Sequence, residues 1–158
     1  MKKIKIFVMD VDGTITDGKI YMAASGELFK AFNIKDGYGI HELLPQYHVK
    51  TVIITGRKSE IVLRRAKELE INFVLQNIKN KENALYEIAD KYQCALSEIA
   101  YIGDDLIDLK PMQLCGVAGC PFDAVSEIKK VANYVAEARG GFGAVREFID
   151  WLIQKKYI

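Results

Sequence analysis

Two acidic residues, Asp10 and Asp12, stand one position apart just after the apolar run IKIFVM, which occupies residues 4–9. Such a run predicts a buried strand, and parallel α/β sheets bind ligands just beyond the carboxyl ends of their strands. Two carboxylates at such a point can bind a hard cation, attack an electrophile or transfer a proton. The stretch DVDGTITD is not a calcium-binding EF-hand loop, because Thr14 and Ile15 stand where that loop needs an acid and a glycine.

Further polar residues follow other predicted strands. They are Thr55 and Gly56 at the end of TVIITG, Lys81 at the start of the helix after NFVL, Asp104 and Asp105 after IAYIG, and Asp108 one helical turn later. Because the strand ends of a parallel sheet share one edge, these side chains are expected around one crevice. Carboxylates, a hydroxyl and an ammonium group suit a phosphate held against Mg²⁺. The sequence has no glycine-rich phosphate loop of the P-loop or dinucleotide-binding type.

Short apolar runs alternate with helical patterns along the chain. The predicted strands are residues 4–9, 51–55, 72–75, 99–103, 116–119 and 133–136. Apolar stripes at helical spacing occupy residues 61–69, 84–89, 106–112 and 145–153, and Ser59 is the predicted N-cap of the first. Most of the strands are continuously apolar, which is typical of a parallel sheet covered on both faces. We therefore predict an α/β fold with a three-layer, doubly wound, mainly parallel sheet.

One segment, at about residues 16–33, interrupts this alternation. KIYM and ELFKAFN within it have the composition of strands, and AASG between them supplies a turn. The segment predicts a β-hairpin that projects from the sheet directly after Asp10 and Asp12, over the crevice. The rest of the chain leaves no room for a second domain, so residues 1–158 are predicted to form a single domain.

Composition narrows the class of protein. The chain has 158 residues and a formal net charge of +1, and its basic residues are scattered, which argues against a nucleic-acid or anionic-membrane surface. No apolar run approaches the roughly 18 residues of a membrane-spanning helix. Asp10 interrupts the first apolar stretch too early for a signal peptide. Three cysteines at spacings unsuited to disulfides indicate free thiols and a cytoplasmic location.

The order of these motifs resembles a known superfamily. DVDGT, then IITG, then a lone lysine before a helix, then GDDLID is similar to the four motifs of the haloacid dehalogenase-like (HAD) phosphohydrolases, which share a Rossmann-like core. DGKIYM, KAFNIKDGYGI, IITGRKSEIV and GGFGAVRE narrow the resemblance to members without a cap domain that hydrolyse 3-deoxy-D-manno-octulosonate (KDO) 8-phosphate. The resemblance implies a cytoplasmic, Mg²⁺-dependent phosphatase of lipopolysaccharide biosynthesis that acts on a sugar-acid phosphate.

The resemblance also implies roles for the acids. Asp10 is expected to attack the phosphorus atom and form an aspartyl-phosphate. Asp12 is expected to act first as the general acid on the leaving alkoxide and then as the general base on water. The family holds Mg²⁺ through the positions of the Asp10 carboxylate, the Asp12 main-chain carbonyl and Asp104. Negative charge near Asp12 is expected to help it carry its proton.

Other strand-end residues are expected to bind the phosphate or to orient the site. Thr55 and Lys81 match the residues that bind phosphoryl oxygens in the family. Lys79 is an alternative to Lys81, which fits the start of a helix better. Asp105 and Asp108 are expected to orient the metal ligands and the backbone.

A substrate with a carboxylate as well as a phosphate needs additional contacts. The expected substrate-binding residues are Asp12, Asn33, Ile34, Lys35, Asp36, Gly37, Thr55, Gly56, Arg57, Arg65, Lys81 and Arg146. His41 stands where several relatives have an arginine, so one substrate contact of those relatives is not expected to carry over unchanged to this chain.

A site without a cap domain is open to solvent, and relatives close it by forming homotetramers. Exposed apolar residues on the hairpin favour such a subunit interface. These residues are Ile20, Tyr21, Met22, Leu28 and Phe32. Three glycines, Gly140, Gly141 and Gly143, indicate a flexible tail at about residues 139–158.

Three alternatives remain open. The substrate could instead be a nine-carbon, sialic-acid-type ulosonate 9-phosphate or a broad range of sugar phosphates. A receiver-type signalling domain is disfavoured, because a receiver carries its phosphorylated aspartate on the third strand. A regulator without activity is disfavoured, since Asp10, Asp12, Lys81 and Asp104 are all present.

Overall fold

The computed structural model describes residues 3–158, and its main feature is a six-stranded parallel sheet. The strands of the chain are β1 (Ile6–Met9), β2 (Tyr21–Ala23), β3 (Gly26–Phe29), β4 (Lys50–Ile54), β5 (Phe73–Leu75), β6 (Ile99–Ile102), β7 (Val117–Cys120) and β8 (Tyr134–Val135). The sheet order is β5-β4-β1-β6-β7-β8, and every neighbouring pair is parallel. The predicted parallel α/β fold is therefore confirmed, with each predicted sheet strand within two residues of its observed bounds.

Helices connect the strands of the sheet. The α-helices are α1 (Ile34–Tyr38), α2 (Leu44–Gln46), α3 (Glu60–Glu68), α4 (Lys81–Lys91), α5 (Leu109–Leu114), α6 (Ser126–Val131) and α7 (Ala144–Gln154). A π-helical segment, Gly39–Leu43, joins α1 to α2, and two 3₁₀ turns occupy Leu96–Glu98 and Leu106–Asp108. The predicted cap of α3 is confirmed, because the Ser59 hydroxyl accepts a hydrogen bond from the Val62 amide.

The sheet is covered on both faces by apolar side chains. Successive residues of a strand point to opposite faces, so Phe7 and Met9 pack on one side while Ile6 and Val8 pack on the other. The first face meets the π-helical segment, α2, α3 and α7, and the second meets α4, α5 and α6. The full burial of β1 explains its continuously apolar sequence and gives the predicted three layers.

The centre of the sheet determines where the site forms. β1 pairs with β4 on one side and with β6 on the other. After β1 the chain reaches β4 through α2 on the first face, whereas after β6 it reaches β7 through α5 on the second face. This divergence opens a crevice at the carboxyl edge between β1 and β6. Asp10 follows β1 directly and therefore lies at the crevice.

The stretch KAFNIKDGYGI shows the largest difference from the sequence prediction. Its first four residues, KAFN, were expected to complete the second strand of the hairpin, but β3 ends at Phe29. After Asn33, where no helix was predicted, the chain is helical through α1, the π segment and α2. Gly37 and Gly39 give this segment a low helix propensity, because glycine disfavours helices, so the sequence did not predict the helix. Both glycines are buried, and a β-carbon on Gly39 would lie 3.0 Å from Ile149 Cδ1 on α7. Packing against α7 therefore overrides the weak local preference.

The predicted hairpin is present as the antiparallel pair β2–β3, with its turn at Ala24 and Ser25. The glycines near residue 140 serve a different purpose from the predicted flexibility. A β-carbon on Gly140 would lie 1.9 Å from the Gly13 carbonyl oxygen, and the Gly141 amide donates to the Thr14 carbonyl. These glycines allow the segment before α7 to pack directly against the loop after β1. Among residues 3–158, no helix is long and apolar enough to cross a membrane.

Candidate active site

The loop after β1 is a tight turn that fixes Asp10. The Asp10 amide donates to the Ile102 carbonyl of β6, which continues the strand pairing by one residue. The Val11 carbonyl then accepts from the amides of Thr14, Ile15 and Thr16. Asp10 is 6% exposed, so its carboxylate reaches the crevice from a largely buried position.

Asp104 is brought against this loop from the end of β6. The Thr14 hydroxyl donates to Asp104 Oδ1 at 3.0 Å. Gly13 adopts a φ of +93°, and a β-carbon there would lie 2.1 Å from Asp104 Oδ2. Only glycine leaves room for this carboxylate beside the loop, so the DGT motif and the GDD motif are two halves of one site.

Lys81 enters the same site from the start of α4. Its ammonium nitrogen lies 2.6 Å from Asp10 Oδ1 and 2.7 Å from Asp108 Oδ1, and its side chain is fully buried. Asn80 places it there by capping α4 through a hydrogen bond from the Asn83 amide. The alternative residue, Lys79, is exposed.

Asp108 is a fixed anion beneath the site. Its Oδ1 accepts from Lys81 and from the Tyr101 hydroxyl at 2.7 Å, and its Oδ2 accepts from the amides of Asp104 at 3.1 Å and Asp105 at 3.4 Å. Four donors saturate this carboxylate. Carboxylate oxygens of Asp10, Asp104 and Asp108 all lie within 4.8 Å of one another, but the saturated Asp108 is poorly suited to ligate a cation directly.

The electrostatics of this cluster favour a bound cation. Burial, followed by the charge of Asp108, raises the pKa of Asp10 to about 6, although Lys81 opposes the shift. Burial and the charges of Asp10 and Asp108 raise the pKa of Asp104 to about 8. Three crowded carboxylates thus share one ammonium group. A divalent cation on Asp10 and Asp104 would compensate this negative charge, and its preference for oxygen ligands matches the available donors.

Asp12 has a different environment from the one the sequence suggested. Its Oδ1 lies 2.5 Å from the Lys30 ammonium at the end of the hairpin, and its Oδ2 lies 3.9 Å from Arg57 Nε. Lys30 also pairs with Glu27 at 3.0 Å. Two cations that the sequence had not indicated therefore contact or approach Asp12, one from the hairpin and one from the loop after β4.

The second strand end supplies Thr55 and Gly56. The Thr55 amide continues the pairing with β5 by donating to Leu75, and its hydroxyl accepts from the Arg57 amide. Thr55 is buried, whereas Gly56 and Arg57 are exposed. Asp105 is exposed and accepts from the Leu106 amide, which starts the 3₁₀ turn ahead of α5.

The residues predicted at the hairpin base divide into two groups. Ile34 and Lys35 are exposed, and the Asn33 side chain caps α1 by accepting from the Lys35 amide at 2.8 Å. Asp36, by contrast, is 2% exposed and accepts from the Arg146 amide in the first turn of α7. Gly37 is buried, and a β-carbon there would lie 2.6 Å from Arg65 Nη2. Asp36 and Gly37 thus hold α1 against its neighbours.

The more distant basic residues make contacts within the chain. Arg65 pairs with Glu68 at 3.1 Å and lies over the Phe32 ring. Arg146 pairs with Asp150 at 2.9 Å and lies over the Tyr38 ring. The His41 Nδ1 lies 2.8 Å from Glu42 Oε1. His41 also lines a cavity of about 250 Å³ beside the first residues of β4.

Three side chains of the site escaped the sequence prediction: Thr14, Lys30 and Tyr101 contact Asp104, Asp12 and Asp108, respectively. Lys30 and Asp12 are 18 positions apart, and only the path of the hairpin brings them together. Tyr101 is a fully buried strand residue whose sequence context indicates packing alone. Nothing in the sequence around Lys30 or Tyr101 indicates which acid each of them contacts.

Comparisons with known proteins agree with this geometry. A family profile described as haloacid dehalogenase-like hydrolase matches residues 70–149. The 3-deoxy-D-manno-octulosonate 8-phosphate phosphatase KdsC of Escherichia coli (strain K12) is 41% identical over 152 residues, which cover 96% of this chain and 80% of that protein.

Solved structures of similar proteins share the fold. The 3-deoxy-D-manno-octulosonate 8-phosphate phosphatase from Moraxella catarrhalis, in complex with magnesium ion, phosphate ion and KDO, is 40% identical with a TM-score of 0.92, covering 96% of this chain and 86% of that one. The cobalt-bound deoxy-D-mannose-octulosonate 8-phosphate phosphatase from Haemophilus influenzae is 34% identical with a TM-score of 0.92, covering 96% and 88%.

Proposed function

The chain belongs to the haloacid dehalogenase-like hydrolases and, within them, to the KDO 8-phosphate phosphatase family, and on this premise we propose that it hydrolyses KDO 8-phosphate to KDO and inorganic phosphate. One observation carries the proposal. Asp10, Asp104 and Lys81 converge within hydrogen-bonding or ligand distance at one edge of the sheet, in a chain that aligns over nearly its whole length with phosphatases of this substrate.

In the proposed first step, Asp10 attacks the phosphorus atom. A bond forms between an Asp10 carboxylate oxygen and phosphorus while the bond from phosphorus to the sugar oxygen breaks. Asp12 gives its proton to that sugar oxygen, so KDO leaves as a neutral alcohol at that position. The position of Asp12 two residues beyond Asp10, at the mouth of the crevice, supports this division of roles.

The second step regenerates the enzyme. A water molecule attacks the phosphorus atom of the aspartyl-phosphate, and Asp12, now a carboxylate, takes a proton from that water. The bond between Asp10 and phosphorus breaks as inorganic phosphate forms. Asp12 thereby recovers its proton, and no other reactant is consumed.

We assign the divalent cation to the Asp10 and Asp104 carboxylates and the Asp12 main-chain carbonyl, and we propose Mg²⁺ as the physiological ion. The charge of a bound cation neutralises phosphoryl oxygens and so favours attack by an anionic carboxylate. The Moraxella catarrhalis relative in complex with magnesium ion supports this choice.

In this proposal, Thr55, Gly56 and Lys81 bind the phosphate. The Lys81 ammonium has three N–H groups, of which Asp10 and Asp108 accept two, so the third is available to a phosphoryl oxygen. Arg57 supplies a further cation at the crevice mouth. We propose that the half-buried Asn33 and the exposed residues Ile34 and Lys35 face the sugar acid.

We further propose that this chain is one domain that assembles as a homotetramer through its hairpins. Met22 is 66% exposed, Leu28 59% and Phe29 46%, which is unusual for large apolar side chains on one hairpin. Burial against other copies would remove this apolar surface from water. In such an assembly Arg65 and Arg146 become candidates for contacts with a neighbouring site. The free cysteines fit a reducing cytoplasm.

A phosphate-release panel tests the activity. The purified protein with Mg²⁺ is given KDO 8-phosphate, a nine-carbon ulosonate 9-phosphate and simple hexose phosphates. We expect kcat/KM to be highest for KDO 8-phosphate, and activity to be lost in Asp10→Asn. Equal rates on all substrates would support a broad sugar phosphatase instead, and a chain that releases no phosphate from any of them would refute the proposal.

Light scattering tests the assembly. The wild-type chain is expected at four times its monomer mass, and Met22→Glu is expected to shift the population toward smaller species because it buries a charge in the interface. A monomer mass for the wild-type chain at micromolar concentration would contradict the tetramer.

A further inference from the structure

Lys30 is a lysine of the hairpin whose side chain is only 2% exposed. It directly follows β3, in a two-stranded hairpin that lies outside the main sheet. Lysine rarely gives up its hydration without partners in return. Its partners here are the carboxylates of Asp12 and Glu27. Burial lowers the pKa of Lys30, but its bonds to these two acids outweigh that effect and raise it.

A second bond ties the same part of the hairpin to the opposite wall of the crevice. Glu27, three residues before Lys30, accepts from the Ser59 hydroxyl at 2.5 Å. Ser59 is the N-cap of α3, which follows the loop after β4. Lys30 and Glu27 therefore link the loop after β1 to the start of α3, and the hairpin base bridges the two walls.

The hydrogen bond from Lys30 also makes the two carboxylate oxygens of Asp12 different from each other. Lys30 donates a hydrogen bond to Oδ1, while the Arg57 Nε lies 3.9 Å from Oδ2, beyond hydrogen-bonding distance. Proton transfer needs a carboxyl oxygen within hydrogen-bond reach of the reacting atom. With Oδ1 held by Lys30, Oδ2 is the oxygen left to exchange a proton with the leaving group and with water.

We propose that Lys30 is a positioning residue for the phosphatase reaction, which fixes Asp12 through Oδ1 and directs Oδ2 toward the departing sugar oxygen. The inference rests on the acid and base role proposed for Asp12. It makes the hairpin part of the catalytic apparatus as well as a surface for assembly. The buried ion pair is the structural reason, since it holds the side chain of Asp12 in one orientation.

Leaving groups of different basicity test this role. An alkyl phosphate such as KDO 8-phosphate expels a strongly basic alkoxide and needs a proton from Asp12, whereas p-nitrophenyl phosphate expels a stable phenolate and needs little help. Because both substrates share the later hydrolysis of the aspartyl-phosphate, the comparison uses kcat/KM, which reports phosphoryl transfer to Asp10 alone. We expect Lys30→Met to lower kcat/KM for the alkyl phosphate by about 10- to 100-fold, within the range of general acid catalysis, and kcat/KM for p-nitrophenyl phosphate by less than about 3-fold. Asp12→Asn should show the same selectivity, and Lys30→Arg should recover part of the loss.

Lys19→Met is the matched control, because Lys19 is an exposed lysine of the same hairpin connection. It should leave both rates unchanged. Equal losses in kcat/KM on both substrates in Lys30→Met would show that Lys30 only anchors the hairpin, and no loss on either would show that it is dispensable; both results overturn the proposal. If Lys30→Met fails to fold, the losses on the two substrates are compared in Lys30→Gln instead.

The substrate preference of the wild-type chain tests the proposed function, and it is measured separately from the effect of Lys30→Met. If it hydrolyses a different alkyl phosphate better than KDO 8-phosphate, that substrate replaces KDO 8-phosphate in the comparison and the ratio remains measurable. Light scattering on each variant reports whether the assembly has changed.

Discussion

Lys81 and Asp108 form an ion pair in which neither side chain is exposed, with Nζ 2.7 Å from Oδ1. Such pairs are held by their geometry, because each charge has lost its water. Lys81 reaches Asp10 with a second N–H, so Asp108 fixes the position of the ammonium group that we propose to bind the phosphate.

Lys81→Met is therefore expected to lower stability as well as activity. The change leaves the Asp108 carboxylate buried without its countercharge, which costs about 3–5 kcal/mol. Adding Asp108→Asn should recover at least about 1 kcal/mol of this loss, because the unpaired charge is gone. Urea denaturation of the single and double variants measures both values; a double variant less stable than Lys81→Met would contradict the argument.

Tyr101→Phe removes only the hydroxyl that donates to Asp108 at 2.7 Å. We expect a loss of about 1–2 kcal/mol in the free energy of unfolding, since one buried acceptor loses a donor. Asp108 keeps three other donors, so kcat should fall less than in Lys81→Met. Thermal unfolding and phosphate release on the same preparation provide the two readings, with Tyr86→Phe, an exposed tyrosine of α4, as the control.

Asp36 gives a prediction about pH. Burial raises its pKa from 3.8 to about 6, so the folded state binds this proton more tightly than the unfolded chain does. The stability contributed by protonated Asp36 is present at low pH and is lost as the pH rises through about 4 to 6. Asp36→Asn does not titrate. Between about pH 4.5 and about pH 7, the variant should gain about 2 kcal/mol relative to the wild type.

The comparison of Asp36→Asn with the wild type removes the contributions of Asp10 and Asp104, whose pKa values are also raised. Urea denaturation at both pH values and at one protein concentration measures the change. A difference that is independent of pH would mean that Asp36 is already ionised at the lower pH in the folded chain.

Gly140→Ala should damage the site through sterics. Its new methyl group would meet the Gly13 carbonyl oxygen at 1.9 Å and push the two loops apart, at a cost of about 1–3 kcal/mol. Because Gly13 lies beside Asp104, kcat should fall too. Gly143→Ala is the control: it has a φ of +111° and open space around it, so strain should lower stability but leave kcat unchanged.

Binding of Mg²⁺ should stabilise the chain, because the cation relieves repulsion among Asp10, Asp104 and Asp108. We expect Mg²⁺ to raise the melting temperature of the wild type and EDTA to abolish its activity. Asp104→Asn should lose the thermal response, while Asp105→Asn, which changes the exposed neighbouring acid, should retain it. An equal response in both variants would place the cation elsewhere.

The sheet was predictable because its strands are buried on both faces and so remain continuously apolar, as in β1 and β6. Parallel pairing then places Asp10, Thr55 and Asp104 at one edge without further information. The helical structure after Asn33 was not predictable, because its glycines pack against distant helices: Gly37 of α1 lies against Arg65, and Gly39 of the π segment lies against Ile149 of α7, 110 positions away.

The partners of the acids were equally hidden. The family resemblance implied different roles for Asp10 and Asp12, but the partners that distinguish the two acids meet them only after folding. Lys81 reaches Asp10 across 71 positions and Lys30 reaches Asp12 across 18. Such pairings depend on the path of the chain, which local patterns do not encode.

The packing of Gly140 and Gly141 against the loop after β1 has a consequence for synthesis. A chain emerging from the ribosome exposes Asp10 and Asp12 early, whereas β6 and the glycines follow about 90 and 130 positions later. Until both have emerged, the proposed nucleophile Asp10 lacks β6 beside β1 or the glycine segment that packs on its loop. We therefore expect ribosome-bound chains that stop before residue 140 to lack phosphatase activity, so that activity arises only late in translation.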